Sequence, residues 1–384
     1  MLSGRLEHVP QAGGSGGRPF RGAVLACGLA SSLGYDATTA CAAARAGIVR
    51  RSPLPYVYRA TDDPEGQPAV GHTASLLTEG FVGAARWQRL LQGAVQDLAQ
   101  RAPISRQPVC CGVFLGLPAN LPGVPAERVG DPAAVLAFAR DLWVRSVNAA
   151  ACPLPGDVCF AEASGSPALA SALAAALEML RRGSLDMAVV GVVDSLVDVP
   201  VLQELDRNHR LKTEFNPDGL VPGEAAVVLL LAAEHGVIAK EARRLGYVAR
   251  VLKLAADGAA ADDGRATARI VHELFDGIRP PAPNAGRRWV LLDLNGEFGR
   301  SRDWGHALVR LVSSDRAFDD HELWHCADAF GDTGAANAGL ALCVAAHAFA
   351  RGHAPSPHAA VVTASDGARS GILFSAPETG GSRE

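Results

Sequence analysis

The sequence predicts an α/β protein made of two similar series of strands and helices. Strand-like apolar runs alternate with helical ones from Gly22 to Ser375, which is the α/β signature. The 384 residues exceed what a single core usually serves, so a duplicated or two-part fold is expected. Aromatics make up only 5% while Ala and Gly abound, a mix that suits small-residue helices packed closely on strands and disagrees with disorder.

Each element has a local reason. GAVLACGLASSLG from Gly22 is an apolar run closed by small residues, and the helix after it is capped by Asp36 and stopped near Gly47. A buried strand follows at Val109–Leu117, then a helix at Ala133–Val147, a strand at Asp157–Ala161 and a helix at Pro167–Arg182. DMAVVGVVDS from Asp186 is an unbroken apolar run, hence a strand buried on both faces. The polar, turn-rich stretch from Asp206 to Gly223 reads as a loop, and GEAAVVLLLAAEHG returns the chain to a buried strand. The second series places strands at Tyr247–Leu254, Trp289–Leu294, Glu322–Ala327, Ala359–Thr363 and Gly371–Ser375. Its helices fall at Ala266–Ile278, Asp303–Val312 and Gly334–Arg351, with a Pro-rich loop from Arg279. The division expected is a flexible lead-in over 1–20, a first half over 21–235 and a second over 236–384.

Composition excludes several functions. A net charge of −4 gives no electrostatic footprint for nucleic acid or anionic membrane. No apolar stretch reaches the ~18 residues of a membrane helix, and residues 1–20 lack a signal-peptide core, so a soluble cytoplasmic protein is expected. The eight cysteines form no CxxC pair and read as buried free thiols in a reducing compartment. No histidine pair has zinc-ligand spacing with a third ligand nearby, so neither a metal nor a cofactor is implied.

AEASGSPALASALAAALEMLRRGSLDMAVVGVVDS, from Ala161, is the most informative segment. Ser164, Gly165 and Ser166 lie between a strand and a helix that Pro167 is suited to open. A side chain on such a turn faces free backbone N–H groups and the positive end of the helix dipole. That setting favours a nucleophile or an oxyanion. An N-cap or small packing residue is the plain reading of Ser166.

This segment resembles the nucleophile elbow of β-ketoacyl-acyl-carrier-protein synthases, the ketosynthases of the thiolase-like superfamily. In those enzymes a catalytic Cys opens a small-residue helix ending in Gly, followed by Asp and a buried strand. Counting back from LRRGSLDMAVVGV puts Ser166 at the Cys position, and NPDGLVPGEAAVVLLL from Asn216 is similar to the family's acidic-Gly-Phe-Val-x-Gly-Glu-Gly-Ala stretch. The resemblance runs from about Gly22 to Ser375. It implies a duplicated five-layer αβαβα fold, a place in fatty acid or polyketide biosynthesis, and acyl carrier protein or acyl-CoA thioesters as partners. It also implies a homodimer or a heterodimer with a ketosynthase.

The resemblance places Asn295 where the family keeps a His, and Asp332 at the second His position. Asn can donate to a thioester or enolate oxygen but cannot shuttle protons near neutral pH; a turn role is its plain reading. Asp332 precedes a helix and reads equally as an N-cap. The loop TASDGARSGILF matches the family's glycine-rich loop and puts Ser365 at the backbone N–H of the oxyanion hole, beside that of Ser166. Glu297 and Asp303 read as solvated acids. Of the histidines, His209, His325 and His347 stand out, His325 on a strand beside Cys326.

Condensation needs a thiolate to take the acyl group and two basic side chains to handle the extender. Ser, Asn and Asp do not reproduce that set, and no base for Ser166 is evident. Two expectations follow. One is a non-condensing homologue that binds acyl groups or a carrier protein, or pairs with an active ketosynthase. The other is a serine acyltransferase or thioesterase acylated on Ser166.

Overall fold

The computed structural model describes residues 6–8, 20–59, 65–102, 109–255, 263–279, 287–365 and 368–378. Most of the lead-in and of the Pro-rich loop lies outside them. The first series runs β1 (Leu6–His8), β2 (Gly22–Ser31), α1 (Ala37–Arg45), β3 (Ser52–Tyr58), β4 (Gln67–Gly71), α2 (Ser75–Thr78) and α3 (Gly83–Arg101). It continues through β5 (Cys111–Leu117), α4 (Ala126–Val129), α5 (Pro132–Ala150), β6 (Val158–Ala163), α6 (Ala168–Arg181), β7 (Met187–Ser195), α7 (Val199–Arg207), β8 (Glu224–Ala233) and α8 (Val237–Glu241). The second holds β9 (Gly246–Ala255), α9 (Arg265–Phe275), β10 (Trp289–Leu292), α10 (Phe298–Ser314), β11 (Glu322–His325), α11 (Ala327–Phe330), α12 (Asn337–Arg351), β12 (His358–Ser365) and β13 (Ala368–Ser375).

The strand orders make the duplication visible. The first series forms β6-β5-β7-β8-β2 and the second forms β11-β10-β12-β13-β9. Numbering only these five strands of each half in chain order, each is the order third, second, fourth, fifth, first. In both, the second strand lies parallel to the third and fourth, and the last pairings are antiparallel. The first strands of the series meet where Gly22–Val24 pair with Val248–Gly246. The helices repeat as well: α6 and α12 each connect the third strand of a series to the fourth.

Five layers result. Helices α6 and α12 lie between the sheets, where Leu169, Leu173, Leu340 and Leu342 share one core with Val190, Val227, Leu291 and Val361. Outside the first sheet pack α3 and α5, through Trp87, Leu91, Leu142 and Trp143. Outside the second pack α9 and α10, through Ile270, Leu274 and Leu311. An Ala-rich helix is what this sandwich needs: Ala168, Ala170, Ala172 and Ala176 are fully buried, so α6 can touch strands on more than one face while keeping high helix propensity. Leu173 fills the same space with no exposure, and truncating it to Ala is worth about 2–5 kcal/mol.

Some elements depart from the sequence expectations. The strand expected over Glu322–Ala327 stops at His325 and gives way to α11, and Gly334–Ala336 forms a 3-10 turn before α12. The long amphipathic α3, the β3–β4 hairpin and α7 were not singled out from the sequence. All eight cysteines are free, but only Cys27, Cys41 and Cys343 are buried, while Cys110 and Cys159 are exposed. The expectation of uniformly buried thiols is therefore corrected: Cys159 lies on β6, an outermost strand with β5 as its neighbour in the sheet. Among the described residues no helix is long and apolar enough to cross a membrane.

Candidate functional site

Strand β6 delivers the chain to the turn Ser164–Pro167. Gly165 adopts φ +70°, a conformation that costs glycine least. Its N–H donates to the Leu117 carbonyl (3.1 Å), and the Ala168 N–H donates back to Gly165 O (2.9 Å). Pro167 then leads into α6. Ser166 is buried at 7% exposure, and its carbonyl accepts from the Thr363 hydroxyl on β12 (3.1 Å). A hydroxyl has one proton, so in the 2.8 Å contact between Thr363 and Ser370 it is Ser370 that donates.

The Ser166 hydroxyl has no hydrogen-bond partner among the described residues. Close by in sequence, the Ser164 hydroxyl donates to Glu162 (2.7 Å), which pairs with Lys253 (3.1 Å), and Lys253 also donates to Ser171. Thus the lysine and the carboxylate near the elbow are occupied by each other and by hydroxyls other than that of Ser166.

Asn295 and Asp332, 37 positions apart, meet directly. One Asn295 N–H donates to Asp332 Oδ2 (2.6 Å) and the other to Glu297 Oε2 (2.8 Å), while Asn295 Oδ1 accepts from the Glu297 N–H (3.1 Å). An amide has two N–H groups, so none remains for a thioester or enolate oxygen. Asp332 is equally engaged: Oδ1 accepts from the Gly334 N–H (2.8 Å) and from Asn337 Nδ2 (2.9 Å). Its backbone partner is the Gly334 N–H of the 3-10 turn that precedes α12, and the N-cap of α12 itself is Ala336 with no side-chain cap bond, so the reading of Asp332 as the helix N-cap is corrected.

Charges lock this turn in place. Arg210 grips Glu297 through two hydrogen bonds (2.7 and 3.0 Å). Burial would raise the Glu297 carboxyl, but Arg210 and Asn295 outweigh it and hold the group below its ordinary value. Arg300 pairs with buried Asp293 and faces Glu297 at 3.6 Å. Burial raises the Asp293 carboxyl despite Arg300. Asp293 also accepts from the Ala364 N–H (2.8 Å), tying the turn to β12.

Ser365 ends β12, where its carbonyl accepts from Arg369 (3.1 Å); the β12 side chain that touches the elbow is Thr363, two residues earlier. His209 is exposed with φ +53°. His325 pairs with exposed Asp328 (3.3 Å), and His347 lies 5.8 Å from His353, ring to ring. No histidine among the described residues bonds to Ser166. Glu297 and Asp303, expected as solvated acids, are both partly buried and paired, Asp303 with Thr267 (2.6 Å).

Two further buried groups were not singled out from the sequence, although Asp194 ends the run from Asp186 that reads as a buried strand. His72 accepts from Arg51 (3.2 Å) and packs under Gly331, beside the Asp332 turn; burial and Arg51 hold it neutral, with its pKa pushed down to about 4. Asp194, at the end of β7, accepts from the N–H groups of Ser195 (2.7 Å) and Ala335 (2.9 Å). Burial raises its pKa to about 7. A pocket of about 340 Å³ opens beside the Asn295–Glu297 turn; Ala364 and Ser365 line it and Ser166 does not. Among the described residues no group of His, Cys, Asp or Glu is placed to hold a metal ion.

Residues 146–236, from the end of α5 through β8, match the model of the beta-ketoacyl synthase N-terminal domain. The fold is similar over 94% of the chain to the whole of one chain in the structure of AntDE:AntF, a type II PKS acyl-carrier protein in complex with its ketosynthase, at TM-score 0.72 and 14% identity.

The chain has the ketosynthase fold.

It is also similar to the oxazolomycin ketosynthase domain of Streptomyces albus JA3453, over 93% of this chain and 76% of that one, with TM-score 0.71 and 17% identity. A third similar structure is the ishigamide ketosynthase/chain length factor, over 93% and 99%, with TM-score 0.69 and 16% identity. No curated protein matches the chain in sequence. The matched domain contains Ser166, whereas Asn295, Asp332 and Ser365 of this ketosynthase fold lie outside it.

Proposed function

We propose that this ketosynthase-fold protein is a non-condensing homologue that binds acyl groups or an acyl carrier protein, or pairs with an active ketosynthase. One observation carries the reading: the Asn295 amide and the Asp332 carboxylate are fully engaged with each other and with Glu297, Gly334 and Asn337. A condensing site must present donors and bases to an incoming extender unit. Here those groups hold the protein together. Two of the similar structures are titled as a carrier-protein complex and as a ketosynthase/chain length factor, which supports protein partners of these two kinds. Strand β6, outermost in its sheet, offers an edge on which a second subunit can continue the pairing.

The test is size-exclusion chromatography with light scattering on the full chain, alone and mixed with acyl carrier proteins and ketosynthases of type II polyketide systems, backed by calorimetry with acyl-CoA thioesters. A stable complex or measurable thioester binding is expected. The absence of any complex and of any thioester binding would reject the proposal.

A second reading rests on Ser166 itself. Its hydroxyl is unengaged at the start of α6, where the helix dipole favours developing negative charge, so it remains available to accept an acyl group.

A further inference from the structure

The pocket beside the Asn295–Glu297 turn is lined by ions together with apolar Leu292, Leu294, Trp304 and Val362. Three guanidinium groups, Arg210, Arg300 and Arg369, face it together with four carboxylates, Asp218, Asp293, Glu297 and Asp303. Burying an aliphatic acyl chain among them would strip water from charged groups without replacing its hydrogen bonds. At about 340 Å³ the space lies near the lower end of small-molecule sites. That is the liquid volume of about eleven waters, each taking about 30 Å³.

The hydrogen bonds still available define what fits. Arg210 uses Nε and Nη2 on Glu297, and Arg300 uses Nη1 on Asp293 and turns Nε toward Glu297. Among the described residues, Arg210 Nη1 and Arg300 Nη2 have no partner, so both can take a carboxylate. On the acidic side, Asp303 has one cation, Arg369, at 3.5 Å. Asp218 accepts the Phe298 N–H through one oxygen and has no cationic partner among the described residues. The lining therefore carries one carboxylate more than it has guanidinium groups, an excess that an ammonium group balances.

We infer that this pocket binds a small hydrophilic molecule of net charge +1 carrying one carboxylate and two ammonium groups, as a basic amino acid does. Its ammonium groups sit by Asp303 and Asp218, and its carboxylate takes the open N–H groups of Arg210 and Arg300. The inference is independent of carrier-protein binding, because it rests on the charges of this pocket and uses neither Ser166 nor the β6 edge.

Isothermal titration calorimetry on the full chain at low salt tests it, with L-lysine, putrescine, pantetheine and hexanoate as probes. L-lysine is expected to bind more tightly than the other three, and Asp303→Asn should weaken it about tenfold, one charge-assisted hydrogen bond's worth. Arg210→Gln should weaken L-lysine and leave putrescine, which lacks a carboxylate, unchanged. Asp218→Asn, at an exposed position, gives a second acidic variant in which folding is not at stake. The inference is overturned if L-lysine gives no heat, if it binds wild type and both Asp variants alike, or if pantetheine or hexanoate binds more tightly than L-lysine.

Discussion

Helices α6 and α12 hold equivalent places in the two halves of the fold, yet their first turns are built from opposite chemistry. Each is met by the end of the fourth strand of the other half: Thr363 on β12 reaches Ser166 before α6, and Asp194 on β7 reaches Ala335 before α12. Around α6 the groups are hydroxyls, and the Ser166 hydroxyl is left unengaged. Around α12 they are carboxylates, and Asp332 and Asp194 accept five hydrogen bonds between them. A carboxylate at a helix N-terminus is stabilised by the dipole and by free N–H groups. The α12 start is thus organised for stability, and the α6 start keeps an unengaged hydroxyl in a buried turn.

The comparison breaks most visibly at Asp332. In Asp332→Ala, Asn295, Asn337 and Gly334 each lose a buried acceptor, at about 1–3 kcal/mol per unpaired group, so we expect a loss of about 3 kcal/mol or more in urea unfolding. An unchanged midpoint would mean that Asp332 is no hub. Next in size is Gly334→Ala. Gly334 has φ +53° and a Cβ added there would collide with the Asp194 carboxylate, whereas one added at Gly165, φ +70°, would meet only loose neighbours. Both Ala variants should be destabilised by about 1 kcal/mol of backbone strain, Gly334→Ala clearly more than Gly165→Ala. Equal losses would remove the distinction between the two turns.

A smaller effect is expected from pH. Asp194 has a folded pKa raised to about 7 against an ordinary 3.8, so between those values the folded state holds a proton that the unfolded state has lost. Its contribution is therefore greatest at low pH and is lost as pH rises toward about 7, by at most about 1.4 kcal/mol per pH unit. His72 runs the other way, its pKa lowered from 6.5 to about 4, and weakens the fold as pH falls through that window. The difference in unfolding stability between wild type and Asp194→Asn, followed from about pH 4 to about pH 7, isolates the first group, because His72 contributes alike to both. The variant should lose the decline in stability that wild type shows, and parallel curves would count against this placement of Asp194. The smallest effect belongs to Ser166→Ala, which removes a hydroxyl without a partner and should move stability by under about 0.5 kcal/mol.

The fold was legible because it is written in local patterns: the runs from Gly22, Asp186 and Gly223 are continuous and apolar, and Pro167 and Gly183 bracket α6. The elbow was legible for the same reason, being one unbroken segment. What could not be read was partnership at a distance. Asn295 and Asp332 stand as two isolated polar residues in the sequence, and only the turns after β10 and before α12 bring them to 2.6 Å. Nothing near His72 marks it as buried, and although Asp194 ends a run that reads as a buried strand, nothing there shows that it lies beneath that turn, because strands from elsewhere in the chain bring them together. Thr363 escaped notice because it shares a strand face with Ser365, two residues on, and only how far β12 runs past the elbow decides which of the two reaches it.

The most direct test of the central claim is intact-protein mass spectrometry of wild type and Ser166→Ala after incubation with a panel of acyl-CoA and acyl-carrier-protein thioesters. The account of a non-condensing, binding protein predicts unmodified mass and intact thioesters for both. An acyl adduct on wild type that disappears in Ser166→Ala would contradict it and make Ser166 the nucleophile of an acyltransferase or thioesterase.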